Sequence, residues 1–422
     1  MKLPKHWKDV TVGDCCSIRH GYAFEGSDMT AQATEGPIVV SIGNLQYTGG
    51  FRFGSTTLKR ATIDPPKGYV LQPGEVLVAM TCQTPDGEIL GIPGMIPSDG
   101  RTYLHNQRLG LVVTKEEVPT SKSFLFYLFC SKPFNRHLVE RATGTKVKHT
   151  SPTTIESFEF ALPPLPEQRK IADILSTWDE ALEKLDALIE AQERRKKALM
   201  QQLLTGRRRL KGFDQSKGKT ASDRFGIYPA DWKRVRLGEI THEVPTKNAE
   251  GTDLPVLSCT KHRGLVLSQE YFGKRVYAED TSGYRVVQRG EFAYATNHIE
   301  EGSIGYQNLC DAGLVSPIYT VFKTTEAVDD SYLFRVLKST LLIHLYQINT
   351  SASVDRRGSL RYDEFSRIHI WLPGKEEQTA IAQVFDTADQ QLTLLRTQRT
   401  ALDQQKRGLM QRLLTGKLRV KT

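Results

Sequence analysis

Apolar residues recur in alternate steps of four and three along two stretches of the chain. From Ile171 the steps reach Leu175, Trp178, Leu182, Leu185, Ile189, Gln192, Lys196, Leu199 and Leu203. From Ile381 they reach Phe385, Ala388, Leu392, Leu395, Arg399, Leu402, Lys406, Leu409 and Leu413. A stripe sustained over several heptads predicts helices that pack as a coiled coil. The ends agree with this. Pro166 suits a first helical turn, where its missing N–H costs nothing, and Glu167, Glu376 and Glu377 suit the positive end of the helix dipole. Gly206 and Gly416 follow the last apolar pair, where a residue free to take a positive φ closes a helix.

These two stretches are copies of one another. Leu162-Pro163-Pro164-Leu165-Pro166-Glu167-Gln168 opens the first and Leu199-Met200-Gln201-Gln202-Leu203-Leu204-Thr205-Gly206 closes it. Leu372-Pro373-Gly374-Lys375-Glu376-Glu377-Gln378 and Leu409-Met410-Gln411-Arg412-Leu413-Leu414-Thr415-Gly416 frame the second, 210 residues on and without a gap. Each helix, at roughly 38 residues, would be about 57 Å long. A folded segment separates them, so the second helix is expected to return antiparallel to the first. Polar residues at the seam (Gln192, Arg399, Lys196 and Lys406) cost stability and can fix register.

The repeat extends outward. Pro4 to Asp14 matches Pro229 to Glu239 around Trp7 and Trp232, at an offset of 225, and Gln72 to Ala79 resembles Gln288 to Ala295 at an offset of 216. The intervening lengths therefore differ, as expected of two domains of one fold with loops tuned to different targets. Both intervening segments alternate short apolar runs with Gly/Pro/Asp turns, which predicts strands. The runs are Pro37–Ile42, Val76–Met80 and Leu109–Val113 in the first copy, and Leu254–Cys259, Glu291–Ala295 and Pro317–Phe322 in the second. An apolar helix follows in each, Ser123–Cys130 and Ser331–Leu337. The predicted organisation is α+β, with a mostly-β domain over 1–161, a central helix over 162–210, a linker over 211–227, a second mostly-β domain over 228–371 and a distal helix over 372–422.

Composition narrows the class. With 39% hydrophobic and 25% charged residues, the chain reads as a globular protein with real cores. No stretch approaches 18 uncharged apolar residues, and the opening Met1–Trp7 lacks an apolar signal core, so no membrane partner is expected. The six cysteines form no C-x-x-C pair and suit free thiols in a reducing cytoplasm. A net charge of +9 favours a polyanionic partner.

Catalytic motifs fail on inspection. Gly218-Lys219-Thr220 lacks both the glycine five positions earlier, where Phe213 stands, and a preceding apolar strand, so it is no phosphate loop. Asp64-Pro65-Pro66-Lys67 has Lys67 where an amino-methyltransferase stacks a flipped base on an aromatic. His298-Ile299-Glu300 has deaminase spacing but no cysteine pair behind it, and Pro85-Asp86 has no downstream Glu-x-Lys. No catalytic residue, metal site or bound cofactor is expected in this chain.

Polar loops that follow buried strands are the candidate contact points for double-stranded DNA. In the first domain they carry Arg19, His20 and Tyr22; Thr81, Gln83 and Thr84; Asn106, Gln107 and Arg108; and Lys146, Lys148 and His149. In the second they carry Lys261, His262 and Arg263; Thr296, Asn297 and His298; and Ser351, Ser353, Arg356 and Arg357. Arg can read guanine, and Asn or Gln can read adenine, through paired hydrogen bonds in the major groove. Lys, Ser and Thr more often hold phosphates, which sets register.

Two half-chains, each a variable β-rich domain followed by a Pro-Pro-Leu-x-Glu-Gln helix that closes on Leu-Leu-Thr-Gly, resemble the specificity (S) subunit of type I restriction-modification systems. The second helix start keeps only the ends of the motif. The resemblance implies two pseudo-symmetric target-recognition domains separated by two long antiparallel helices packed as a coiled coil. Each domain would read one half of a bipartite, asymmetric DNA target. The helices would act as spacer and dock two modification (methyltransferase) subunits carrying S-adenosylmethionine. Restriction subunits using ATP and Mg2+ would join that core, in the cytoplasm. Adding one helical turn to the central helix would then lengthen the gap between half-sites. The competing reading is a stand-alone bipartite DNA-binding protein or repressor. Such a protein has no use for apolar helix positions outside the seam, and Ala187, Leu188, Ala198, Leu204, Leu394, Ala401 and Leu414 are the candidates for an outer docking surface.

Overall fold

The computed structural model describes residues 5–54, 56–64, 67–214, 218–350 and 359–421. The chain forms two compact units, one of Met1–Asp186 with Thr397–Thr422 and one of Ala187–Arg396. Both long helices are continuous, over Leu165–Leu203 and Lys375–Leu414, and each contributes one half to each unit.

The heptad stripe is the buried one. Every seam position named from the sequence is buried or half-buried. In the first unit Ile171, Ala172 and Leu175 are buried with Leu413, Trp7 and Phe124. In the second, Ile381, Ala382 and Phe385 are buried with Leu203 and Tyr332. Residue numbers rise on one helix as they fall on the other, so the halves run antiparallel within each unit. Arg399 meets Asp186 at 3.0 Å and Lys406 meets Asp179 in the first unit; Lys196 meets Asp389 and Arg396 meets Glu193 in the second. Three of the polar seam residues, Arg399, Lys196 and Lys406, thus each face a carboxylate of the opposing helix.

The start of each long helix is tied down by its Glu-Gln pair. Gln168 is fully buried; its Oε1 accepts from the Ser121 amide at 2.8 Å, and its Nε2 donates to the carbonyls of Pro119 (3.1 Å) and Pro163 (2.9 Å). Gln378 repeats this with the Asp329 amide at 2.9 Å and the carbonyls of Ala327 (3.2 Å) and Pro373 (2.9 Å). Ser121 and Asp329 are the N-caps of the apolar helices Lys122–Phe129 and Asp330–Leu337, so one amide side chain joins two helix starts. At the other end, Gly206 (φ 66°) and Gly416 (φ 67°) take the left-handed conformation expected of them.

The first unit contains a four-stranded antiparallel sheet in the order Cys16–His20, Leu109–Thr114, Val76–Ala79, Pro93–Met95. The second contains its counterpart, Thr241–Glu243, Tyr319–Thr324, Phe292–Ala295, Ile304–Tyr306. A two-stranded pair closes each domain onto its helix, Lys8–Thr11 with Glu159–Leu162 and Lys233–Arg236 with His369–Leu372. The remaining strands differ. The first unit has a five-stranded sheet with one parallel pair, Tyr103–His105 beside Ile38–Val40; the second has separate pairs, Leu257–Thr260 with Gly264–Leu267 and Arg285–Gln288 with Ala312–Val315. The repeated frame and the divergent additions match the drift in sequence offset.

One sequence expectation needs correction. The segment 211–227 is more than a polar linker, because Thr220–Asp223 pairs with Gly226–Pro229. That hairpin is held by Tyr228 stacked on Trp371 at 5.1 Å and by Trp371 Nε1 donating to Asp223 at 2.9 Å. Gly218-Lys219-Thr220 therefore leads into a strand, the wrong element for a phosphate loop. The apolar helices are also each followed by a second helix that periodicity did not reveal, Lys132–Arg141 and Thr340–Asn349.

Candidate nucleic-acid interface

In the first unit the loops named from the sequence gather at one end of the four-stranded sheet. His20 pairs with Gly110 and Ala79 with Leu109, so the loops after Cys16–His20 and Val76–Ala79 and before Leu109–Thr114 emerge together. Backbone bonds lace them: Tyr22 N–H to His105 O (2.8 Å), Gln107 N–H to Tyr22 O (2.9 Å) and Met80 N–H to Arg108 O (3.0 Å). A Cβ on Gly21 would lie 2.4 Å from the Asn106 carbonyl carbon, so only glycine permits this approach. The fourth loop joins through Lys148 and His149, which pair with Cys82 and Thr81.

The side chains divide by exposure. Arg19, His20, Gln83, Gln107, Arg108, Lys146 and His149 are exposed, and Tyr22, Thr84 and Lys148 are half-buried. Thr81 and Asn106 are buried and serve the loops themselves. Thr81 Oγ1 lies 3.2 Å from His149 Nδ1, and Asn106 Oδ1 accepts from the Arg108 amide at 3.3 Å. Beneath the patch, burial pushes the fully buried His105 down to about 4, which leaves its ring neutral at physiological pH. Its Nε2 donates to Leu109 O at 2.8 Å, while Nδ1 is buried without a partner.

In the second unit Lys261, His262 and Arg263 form the exposed turn of the hairpin between Leu257–Thr260 and Gly264–Leu267, and the Arg263 guanidinium lies 5.6 Å over the Tyr271 ring. Thr296, Asn297 and His298 follow Phe292–Ala295 directly and are half-buried. Thr296 Oγ1 donates to Ile318 O at 2.9 Å and so belongs to the framework. Lys338, which the sequence did not single out, donates from Nζ to the carbonyls of Thr260, Lys261 and Gly302 at 3.1, 2.8 and 2.7 Å, joining the two turns. Ser351, Ser353, Arg356 and Arg357 lie outside the described residues. His298, Glu300 and Glu301 place ligand atoms within 4.8 Å of one another, a grouping also common on surfaces that bind no ion.

Chemically, the gathered groups are hydrogen-bond donors, amides and cations, suited to base edges and phosphates. Three of the thiols are poor nucleophiles: burial raises Cys16, Cys130 and Cys259 to about 12, far above the range of a reactive thiolate.

On the helices, Leu188 (44% exposed) and Leu394 (59%) present their side chains outward. Leu414 does not: it is 8% exposed and packed in the first unit's cluster with Trp7 and Leu413. Leu204 is half-buried against the second unit's core. Both lie where the chain turns out of a helix and folds back; Leu414 is thereby core and not an outer docking residue, while Leu204 keeps part of its side chain exposed.

The family described as type I restriction modification DNA specificity domain matches over residues 4–193. The chain is 28% identical over 313 residues to the MjaVIII type I restriction enzyme specificity subunit of Methanocaldococcus jannaschii, covering 70% of each. It is 27% identical over 334 residues to the putative MjaX specificity subunit of that organism, covering 76% of this chain and 73% of the relative. In fold it is similar to the type I restriction-modification S subunit of M. genitalium (TM-score 0.58, 14% identity, 98% of each chain). A chain from a structure of type I restriction-modification complex assembly is similar as well (TM-score 0.57, 18% identity, 99% and 100% covered).

Proposed function

The chain belongs to the family of type I restriction-modification specificity subunits, which recognise DNA and carry no catalysis of their own, and on that premise we propose that its two domains each read one half of a bipartite, asymmetric double-stranded target. One observation carries this reading. The same four-stranded sheet occurs in each unit, and in each it delivers polar loops, Arg19–Tyr22 with Asn106–Arg108 in one and Thr296–His298 in the other. Exposed Arg19, Arg108 and Gln107 suit base edges in the major groove, and Lys146 and Lys148 suit phosphates.

The partners follow from the same reading. The outward Leu188 and Leu394 support docking of two modification subunits on the helices, and the helices would set the gap between half-sites. S-adenosylmethionine would then be held by those subunits, and ATP and Mg2+ by restriction subunits that join the complex. The place of action would be the cytoplasm; no helix among the described residues is long and apolar enough to cross a membrane. Co-expression with the cognate modification subunits, followed by mapping of methylated adenines, tests the reading. A split motif with two defined halves is expected, and a contiguous motif or none would contradict it.

A further inference from the structure

Lys338 caps the apolar helix Asp330–Leu337 and turns its ammonium inward, where all three N–H groups meet backbone carbonyls. Two acceptors, Thr260 and Lys261, begin the 261–263 turn, and the third, Gly302, ends the turn that follows Asn297 and His298. The turns are already neighbours: a Cβ on Gly302 would lie 3.7 Å from the Lys261 carbonyl oxygen. Removal from water lowers the Lys338 ammonium below the ordinary lysine value, and the three carbonyl contacts work the other way by stabilising its charged form.

The first unit uses the corresponding helix end differently. Cys130 caps Lys122–Phe129, and its Sγ donates only to Thr48 O, at 3.8 Å, a weak bond to a single turn. A lysine at this place in the second unit therefore adds a link between two loops that the fold itself does not demand.

We propose that Lys338 is a positioning residue for the second recognition domain, holding the 261–263 and 297–302 turns at one separation so that Arg263, His262, Asn297 and His298 reach a single set of bases together. It rests on the reading of these turns as DNA-facing. Base discrimination depends on two or more side chains meeting their edges at once within hydrogen-bond tolerance, and loops that drift independently lose it. Lys338 itself touches no base in this account.

The test uses the chain with its modification subunits and reads the methylated motif position by position. Lys338→Met removes all three donors, whereas Lys338→Arg keeps a charged donor at the site. The Met variant is expected to lose about ten-fold or more of its discrimination in the second half-site, with the first half-site unchanged, and the Arg variant to recover part of it. A Met variant with undiminished stringency in the second half would overturn the inference. So would equal loss in both halves, which marks a merely structural role. If the wild-type protein itself gave no two-part motif, the DNA-recognition reading would fall first and this inference with it.

Discussion

Arg419 grips Glu167 with two bonds, Nε to Oε1 at 2.6 Å and Nη2 to Oε2 at 2.9 Å, while Trp7 Nε1 donates to the same carboxylate at 3.0 Å. Arg209, Glu377 and Trp232 repeat the arrangement in the second unit, at 2.6, 2.8 and 3.2 Å. One carboxylate thus ties the opening tryptophan, the start of one long helix and the residue just past the end of the other. The two triads differ in exposure. Arg209 is 10% exposed and also bonded to Asp231, whereas Arg419 is 41% exposed.

Removing the charge should therefore cost more in the second unit. Glu377→Gln removes one of the two carboxylates that a mostly buried guanidinium meets, leaving it Asp231, and should destabilise by about 2 kcal/mol. Glu167→Gln, whose arginine can turn to water, should cost about 1 kcal/mol. Chemical denaturation of each variant measures this, and equal losses would mean that exposure does not govern the pair.

Gln168→Leu should also destabilise, by about 3 kcal/mol, since it strands one buried amide and two carbonyls. Gln168→Glu should be no rescue, because a carboxylate cannot donate to the carbonyls of Pro119 and Pro163. A urea titration in which the Glu variant matched the wild type would contradict the assignment.

His105 gives the first unit an acid sensitivity. Its folded value is depressed to about 4 by burial, so the unfolded chain takes up the proton first. Its stabilising term is complete above the unfolded value near pH 6.5 and is lost as pH falls toward 4, to a limit of about 3 kcal/mol. His105→Leu lacks this term and leaves the Leu109 carbonyl without its donor. Melting curves should show wild type and variant converging between pH 6.5 and 4; a gap that stayed constant across that window would contradict the account.

Leu188→Glu and Leu394→Glu place a charge on outward helix positions and should leave the melting temperature nearly unchanged. Their expected effect is on assembly, a loss of about ten-fold in affinity for modification subunits, read by sedimentation or titration. Leu414→Glu should instead unfold the first unit, because Leu414 is core. Undiminished affinity in both outward variants would remove these residues from the docking surface.

Much of the frame was legible because it is periodic or repeated. The heptad stripe marks the buried face of both helices residue by residue, and the shifting offset separates the shared sheet from the added strands. What was not legible is long-range and side-chain specific. Gln168 meets Ser121 across 47 residues, and Lys338 meets Lys261 across 77, with no local pattern to announce either. Leu414 occupies an outward-looking sequence position but is buried by residues that follow the helix and by Trp7, so wheel geometry alone misplaces it. Among the loop candidates, the residue type suggests a reader, yet Asn106 and Thr81 are spent on the loops that carry them.

The most direct measurement replaces residues 1–160 with the equivalent segment of another specificity subunit and maps the methylated adenines of the hybrid complex. The account predicts a motif in which one half changes to that of the donor while the other half is retained. A hybrid motif altered in both halves would contradict independent reading by the two domains.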